Sequence, residues 1–595
     1  MSLTAPEKIT DNAYRFDSFT NGKVLLNKKK NRLPAMGWNS WNAFGSGNTE
    51  LLTKAMADQI VALGLDKLGY KYVVLDDGCY KSERINGKLE NDEIKFPGGF
   101  KALADYIHSK NLKFGMYNDI GTNLCAGAAV GTCGHEKTDG KSYVDWGVDF
   151  LKIDNCYFLW DNATFSNPEN AKYVYAPNIK SIIIEGNGFS RHYSVAVDGE
   201  ISGNGVEEKD GYATNIGTFD GTNTGTSPVG TRSGELLFNA EIPDDGEYTV
   251  QVEYATGKEN GTGCWLQLAT GIGDDANVFF DDMLPETESK NHFVKSDKIP
   301  VSLLQGNNQI RIMNHRRQEN TLCAYAAMLE GLNEADPDHD ILLSICEWGK
   351  TQPQNWGYKV GDSWRILNDI TFRVGSDGDA GFGEWNNPGT QSVCSQYNKA
   401  VIMDKFAGLD KGWNDPDMLM IGMNGLTSTM NRTHFAMWCM MNSPLMLGLD
   451  LRRVVKGDEI YEIITNKDLI NVNQDSLGVQ AKRIWSSILD EHQNPAAEYI
   501  TDDERSDVIA KPLCDGSVAV SFINLSDRNE SENFVLNMEF LKNRLGKKTP
   551  VLFKQATKYT VTDLWTKETV EIDDTYEFGV VAPCDNVTVR VTPRA

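Results

Sequence analysis

The sequence predicts an α/β protein: a (β/α)8 TIM-type barrel, interrupted by an inserted β-sandwich domain and followed by a C-terminal antiparallel β-sandwich domain. Three observations carry that expectation. Short apolar runs alternate with stretches of helical periodicity over residues 34–160 and again over 341–447. Between those regions, residues 179–323 are rich in Gly, Asn, Thr and Asp and hold only short alternating runs. From about residue 478 onward, strand-like runs dominate.

The first four barrel strands are expected at 35–41, 72–77, 113–118 and 150–155. Between the first two, residues 51–68 are apolar at helical spacing, and Gly69 closes the run. Four further strands are expected at 341–346, 363–367, 412–419 and 443–447, with helices near 396–409 and 429–440. Eight parallel strands with intervening helices fit a closed barrel. Strand-like runs at 247–254, 265–269 and 309–313 mark the insert, and runs at 518–523, 551–553, 559–563 and 587–591 mark the tail. The expected limits are 1–177 and 324–477 for the two parts of the barrel, 178–323 for the insert and 478–595 for the tail.

A chain of 595 residues is too long for one core. No apolar run approaches the roughly 20 residues that a membrane-spanning helix needs, so no membrane association is expected. Lys and Arg total 58 against 83 Asp and Glu, a formal charge of -25, which disfavours nucleic acid and fits a neutral substrate. Eleven cysteines are too sparse for a disulfide scaffold, and their odd number leaves at least one unpaired within the chain. There is no CxxC or HExxH stretch to support a zinc site. Met-Ser-Leu-Thr-Ala-Pro at the start lacks the basic-then-apolar pattern of a signal peptide. Localisation stays open: secreted or periplasmic if a leader has been removed, cytoplasmic otherwise.

A (β/α)8 barrel builds its active site at the C-terminal ends of its strands. Those ends carry Trp38 and Trp41, then Asp76 and Asp77, Tyr117 and Asp119, and Lys152 and Asp154. The later strands add Cys346, Glu347 and Trp348, then Arg365 and Asp369, then Asp415, Asp417 and Met418. Aromatic faces stack on a pyranose, while carboxylates bind hydroxyls and supply acid, base or nucleophile. Composition alone leaves open a divalent metal site or buried ion pairs.

Eight sequence blocks separate these readings. Met-Gly-Trp-Asn-Ser-Trp-Asn-Ala-Phe (36–44), Leu-Asp-Asp-Gly-Cys-Tyr (75–80) and Lys-Phe-Gly-Met-Tyr-Asn-Asp (113–119) open the series. Asp-Trp-Gly-Val-Asp-Phe-Leu-Lys-Ile-Asp-Asn-Cys-Tyr (145–157), Ser-Ile-Cys-Glu-Trp-Gly (344–349) and Ser-Trp-Arg-Ile-Leu-Asn-Asp-Ile (363–370) follow. Gly-Trp-Asn-Asp-Pro-Asp-Met-Leu (412–419) and Asn-Ser-Pro-Leu-Met-Leu-Gly (442–448) complete it. In content and order the chain resembles the melibiase-type α-galactosidases, glycoside hydrolase family 27, over roughly 33–177 and 324–595.

The resemblance implies a retaining exo-α-galactosidase acting on terminal α-D-galactosyl residues of oligosaccharides or glycoconjugates, with no cofactor in the chemistry. It makes Asp154 the nucleophile and Asp369 the acid/base. Lys152 would favour ionised Asp154, and Asp369 would need a raised pKa to start the cycle protonated. Asp76 and Asp77 would take the 4- and 6-hydroxyls, Trp38 would form the ring platform, and Tyr117 would neighbour the nucleophile. Arg365 and Asp417 would hold the 2- and 3-hydroxyl side, and Cys346 and Trp348 would crowd out a 2-acetamido group. Cys125 and Cys156 match a family disulfide, with Cys133 a competitor. Gly45 and Ser46 stand where many relatives carry a cysteine, so Cys79 is expected to lack that partner.

The insert, with 245–255 and 301–312, resembles a carbohydrate-binding module of the family 35 type. Sugar binding there, a structural calcium ion and a lid role all stay open, with Trp265 the one candidate stacking residue. β-L-Arabinopyranosides, α-N-acetylgalactosaminides and isomaltose units are alternative substrates within the same fold. A non-catalytic glycan-binding protein is the reading from a different class. A homo-oligomer stays open.

Overall fold

The computed structural model describes residues 31–157, 177–202, 206–214, 216, 235–256, 264–271, 277–313, 316–387 and 389–594. Its barrel strands are β1 (Met36–Asn39), β2 (Tyr72–Val74), β3 (Lys113–Asp119), β4 (Phe150–Asp154), β5 (Leu342–Cys346), β6 (Ser363–Arg365), β7 (Trp413–Asp415) and β8 (Leu445–Leu447). They form one parallel sheet in the order β7-β6-β5-β4-β3-β2-β1-β8. A bridge between Leu419, beyond β7, and Leu447 of β8 closes the sheet on itself.

Strand alternation sorts the side chains into two layers. Phe150, Lys152 and Asp154 pair in register with Leu342, Ser344 and Cys346, and Phe150, Val74, Ala35, Leu342, Met418 and Met446 cluster inside the barrel. The intervening Trp38, Val73, Leu151, Ile153, Ile345 and Trp364 join the larger core between barrel and helices. Polar residues toward the strand ends therefore face inward above an apolar floor.

Helix α1 (Glu50–Leu63) is shorter than expected. Gly64, at φ 79°, stops it, and a 3-10 turn over Leu65–Leu68 carries the chain to Gly69 at φ 108°. The run at 412–419 is a strand only over Trp413–Asp415, because Asp417 adopts φ 77°, which an extended strand cannot accommodate. The stretch near 396–409 is helical over Val393–Ala400, and the helix near 429–440 spans Ser428–Met440.

In the insert, Asn178–Gly186 and Gly246–Ala255 belong to one sheet, and Glu235–Ile242, Cys264–Thr270, Asn277–Leu284 and Gly306–Met313 to another. Ile182, Val250 and Val252 of the first share a core with Phe238, Leu268 and Ile310 of the second. The side chain of Trp265 lies outside the described residues. Gln267 Nε2 donates to Gln352 Oε1 at 3.1 Å and Asp282 pairs with Lys359, so the insert touches the loop after β5.

The C-terminal domain has a six-stranded antiparallel sheet in which the interior strands Ser506–Pro512 and Val518–Asn524 are both fully buried. Residues 551–553, expected as a strand, lie in a helix, Val551–Gln555. Only Phe553 of that triplet is buried, whereas Val551 and Leu552 are exposed, so the apolar run does not mark a buried strand.

The chain returns from the insert through the helix Arg316–Ala335, which covers residue 323 and so rejoins the barrel's helical layer before position 324. It crosses the helix Glu136–Trp146 with backbones in contact. A Cβ at Gly331 would lie 2.3 Å from the Glu136 carbonyl oxygen, and one at Gly140 2.4 Å from the Gly331 carbonyl carbon. Tyr325 of the return helix donates its hydroxyl to the Ile153 carbonyl at 3.0 Å, next to Asp154. Gly331→Ala gains helix propensity but forces two backbones apart, so a net loss of about 1–3 kcal/mol is expected, read as a lower thermal midpoint. An unchanged or higher midpoint would contradict this close crossing.

Candidate active site

The parallel register brings the inward side chains together. Tyr117 sits beside Lys152, Asp119 beside Asp154, Asp154 beside Cys346 and Arg365 beside Asp415. Asp76 and Asp77 follow β2, Asp369 follows β6 and Asp417 follows β7.

Asp154 is buried at the end of β4. Its Oδ1 accepts the Asn155 N–H at 2.8 Å and its Oδ2 accepts the Tyr117 hydroxyl at 3.1 Å. Burial pushes its carboxyl up to about 6; Lys152 opposes the shift, while Asp369 and Asp76 add to it. The expected help from Lys152 is thus present but outweighed by desolvation. The charge of Asp369 acts on Asp154 although the two are remote in sequence, so the fold brings these carboxylates into one site.

Lys152 Nζ bonds Asp76 Oδ2 at 2.8 Å, an oxygen that also accepts from Asn39 Nδ2 at 2.8 Å. Burial disfavours the ammonium, but Asp76, Cys346, Asp154 and Asp369 together hold its pKa well above the ordinary lysine value. Asp77 Oδ2 accepts the Ala126 N–H at 2.6 Å, whereas its buried Oδ1 has no partner among the described residues. Burial raises the Asp77 carboxyl to about 6. An unsatisfied buried oxygen near Asp76 and Lys152 offers a hydroxyl group a place to bind.

Asp369 is half-exposed, unlike Asp154. Arg365 bridges it to Asp417, with N–O distances of 3.0 Å to Asp369 Oδ1 and 2.9 Å to Asp417 Oδ2. Asp417 Oδ2 also accepts the Ile370 N–H at 2.8 Å, which fixes the backbone just beyond Asp369. Trp438 Nε1 donates to the Asp417 carbonyl at 2.8 Å, anchoring the residue in its positive-φ conformation. The arrangement joins a buried carboxylate to a more accessible one positioned by a guanidinium group.

Trp38 departs from its expected role. It lies on the helix-facing layer, fully buried, and its indole N–H donates to the Leu449 carbonyl at 2.8 Å, so its ring offers no face to a ligand. Strand parity explains this, because Gly37 and Asn39 on either side of Trp38 face inward. Trp41 is half-buried against the interior cluster, and its backbone N–H donates to Asn39 Oδ1 at 2.9 Å. Alternation continued past β1 sets Trp41, not Trp38, in step with the inward Gly37 and Asn39.

Cys346 is buried, with its Sγ 3.8 Å from Arg365. Trp348 follows at φ 60°, with Lys350 Nζ 4.0 Å from its ring centre and its buried indole N–H unpartnered among the described residues. Glu347 between them is buried and accepts both the N–H and the hydroxyl of Thr351 at 2.8 Å, which braces this loop.

Cys125 and Cys156 form a disulfide with a Cα separation of 5.3 Å; Cys79 and Cys133 remain outside it, both buried. Asp119 was not assigned a role from sequence. Its oxygens accept the Gly121 and Cys156 N–H groups, each at 2.6 Å, and burial and Asp154 raise its pKa to about 8. Oxygens of Asp119 and Asp154 and the sulfurs of Cys125 and Cys156 lie within 4.8 Å of one another. The two sulfurs are bonded together and both Asp119 oxygens accept backbone N–H groups, so this cluster does not present a ready set of metal ligands.

An attacking carboxylate must be ionised, so burial of Asp154 should place the acid limb of kcat/KM near pH 6 rather than near the free-aspartate value of about 3.9. Activity then falls as pH drops through that limb. Lys152→Met removes the charge that opposes the shift and should move the limb to higher pH; a pH–rate profile measures both. A limb near pH 4 in the native chain would contradict the burial argument.

A family model described as alpha galactosidase A matches residues 33–178 and 323–475, and one described as the alpha galactosidase C-terminal beta sandwich domain matches 503–591. Alpha-galactosidase A of Cellvibrio japonicus is 27% identical over 95% of this chain and 93% of its own length. Alpha-galactosidase of Cyamopsis tetragonoloba is 27% identical over 85% of this chain and 75% of its own. The fold matches α-galactosidase from Saccharomyces cerevisiae solved with raffinose, at 20% identity and TM-score 0.57, covering 94% of this chain and 98% of that one. It also matches a β-L-arabinopyranosidase from Geobacillus stearothermophilus, at 16% identity and TM-score 0.53, covering 95% and 97%. The order of strand-end residues, the two-carboxylate site and both family models lead to one assignment: the chain belongs to the melibiase family of glycoside hydrolases, family 27.

Proposed function

We propose that this protein is a retaining exo-α-galactosidase that removes terminal α-D-galactosyl residues from oligosaccharides or glycoconjugates. The observation that carries this reading is a buried Asp154 acted on by the charge of a half-exposed, Arg365-bound Asp369. Asp154 attacks the anomeric carbon and forms a glycosyl ester, while Asp369 gives its proton to the departing glycosidic oxygen. Asp369 then takes a proton from water as the water oxygen displaces Asp154, and two inversions leave the anomeric configuration unchanged. No cofactor enters either step.

Asp76 and Asp77 supply the buried acceptors for the 4- and 6-hydroxyl side, with Lys152 holding Asp76 in place. A wrong epimer would leave such groups unpaired, which is how a pocket of buried acceptors discriminates. Cys346 and Trp348 narrow the 2-hydroxyl side and favour galactose over N-acetylgalactosamine. A galactose-terminated oligosaccharide fits this reading, as does the raffinose held by the yeast relative.

β-L-Arabinopyranoside is the second reading, supported by the arabinopyranosidase fold match. That sugar lacks the exocyclic CH2OH, so it would leave one buried acceptor unpaired and turn over more slowly. Release of p-nitrophenol from the α-galactoside, β-L-arabinopyranoside and α-N-acetylgalactosaminide checks the order. The α-galactoside should be preferred, with Asp369→Ala losing about 10²–10⁴-fold in rate and Asp154→Ala losing turnover. Preference for another glycoside would overturn the substrate assignment, and full activity of either variant would overturn the mechanism.

A further inference from the structure

The loop that follows β5, residues 347–361, holds a strained shape. Trp348 and Gln352 both adopt positive φ, 60° and 55°, a region of backbone space that side chains other than glycine rarely enter. Such a conformation persists only where its surroundings fix it. Within the loop, Glu347 accepts from Thr351, and Trp356 Nε1 donates to the Thr351 carbonyl at 3.1 Å. These bonds brace the turn up to Thr351, one residue short of Gln352.

Further supports reach the loop from the insert and its return helix. Leu266 and Leu268 join the core of the insert, so strand alternation turns Gln267 between them outward, toward the barrel. Its Nε2 donates to Gln352 Oε1 at 3.1 Å, and Gln267 and Gln352 are 0% and 5% exposed, so the bond is shielded from water. A shielded hydrogen bond is costly to lose, because the amide left behind cannot turn to solvent instead. Asp282 of the insert pairs with Lys359, a buried residue near the far end of the loop. Tyr325 of the helix Arg316–Ala335 sets its ring 5.8 Å from that of Trp356, and both rings are fully buried. The same loop carries Trp348 beside Cys346, which lies in register with Asp154.

We propose that the insert is a buttress for the β5 loop, with Gln267 and Asp282 as positioning residues that hold Trp348 against the 2-hydroxyl side of the galactosyl ring. The inserted domain then takes part in substrate selectivity without itself touching the sugar. The inference rests on the α-galactosidase reading, in which Cys346 and Trp348 narrow that side, and adds what keeps them in place.

The test uses the full chain and compares p-nitrophenyl α-galactoside with its 2-deoxy analogue, which lacks the group the loop meets. Gln267→Leu and Asp282→Asn each remove one contact and leave every barrel residue in place. Each should lower kcat/KM for the α-galactoside by about fivefold, the scale of one lost hydrogen bond, while the 2-deoxy analogue changes less than about twofold. Turnover of the analogue reports that each variant is folded with an intact catalytic centre. An equal fall on both substrates in both variants, or no change on either, would overturn the positioning role. Failure of the native chain to hydrolyse the α-galactoside would instead overturn the glycosidase reading and this role with it.

Discussion

Two buried cations, Lys152 and Arg365, make it feasible to gather this many carboxylates inside one barrel mouth. Asp76, Asp154, Asp415 and Asp417 are all withdrawn from water, where an isolated carboxylate would lose its hydration and protonate. Lys152 ties directly to Asp76 and acts on Asp154 through space; Arg365 ties Asp417 to Asp369. The division gives each cation a different task. Lys152 limits the upward shift of Asp154, whereas Arg365 holds Asp369 to Asp417, which in turn accepts the Ile370 N–H behind it.

That electrostatic arrangement depends on packing around β4. The strand carries both Lys152 and Asp154, and its outer edge is held by Tyr325 from the helix that follows the insert. The Gly140–Gly331 crossing lets that helix approach closely enough for the contact. A long insertion between β4 and β5 is therefore tolerated because its return helix rebuilds the layer that would otherwise be lost. The register between β4 and β5, with Asp154 opposite Cys346, is preserved across it.

Much of this was legible in the chain. The alternation of apolar runs marked all eight barrel strands, and the block order pointed to Asp154, Asp369, Asp76, Asp77 and the Cys125–Cys156 pair. Element ends were less legible, because Gly64 and the positive φ of Asp417 terminate regular structure without interrupting the apolar pattern. Trp38 was misread because motif position says nothing about which side of a strand a residue faces; the parity of Gly37 and Asn39 does. Residues 551–553 show the complementary limit, since three apolar residues can lie on a short helix that buries only one of them. The Gln267–Gln352 contact joins remote segments and has no local sequence signature.

The claim on which the account turns is that Asp154 and Asp369 act in two successive displacements. Proton NMR of the first-formed sugar during hydrolysis of an α-galactoside tests it directly, before the free sugar interconverts between anomers. The account predicts α-galactose as the initial product, with the β anomer growing in later. Initial β-galactose would mean a single displacement by water, and would contradict the assignment of Asp154 as nucleophile.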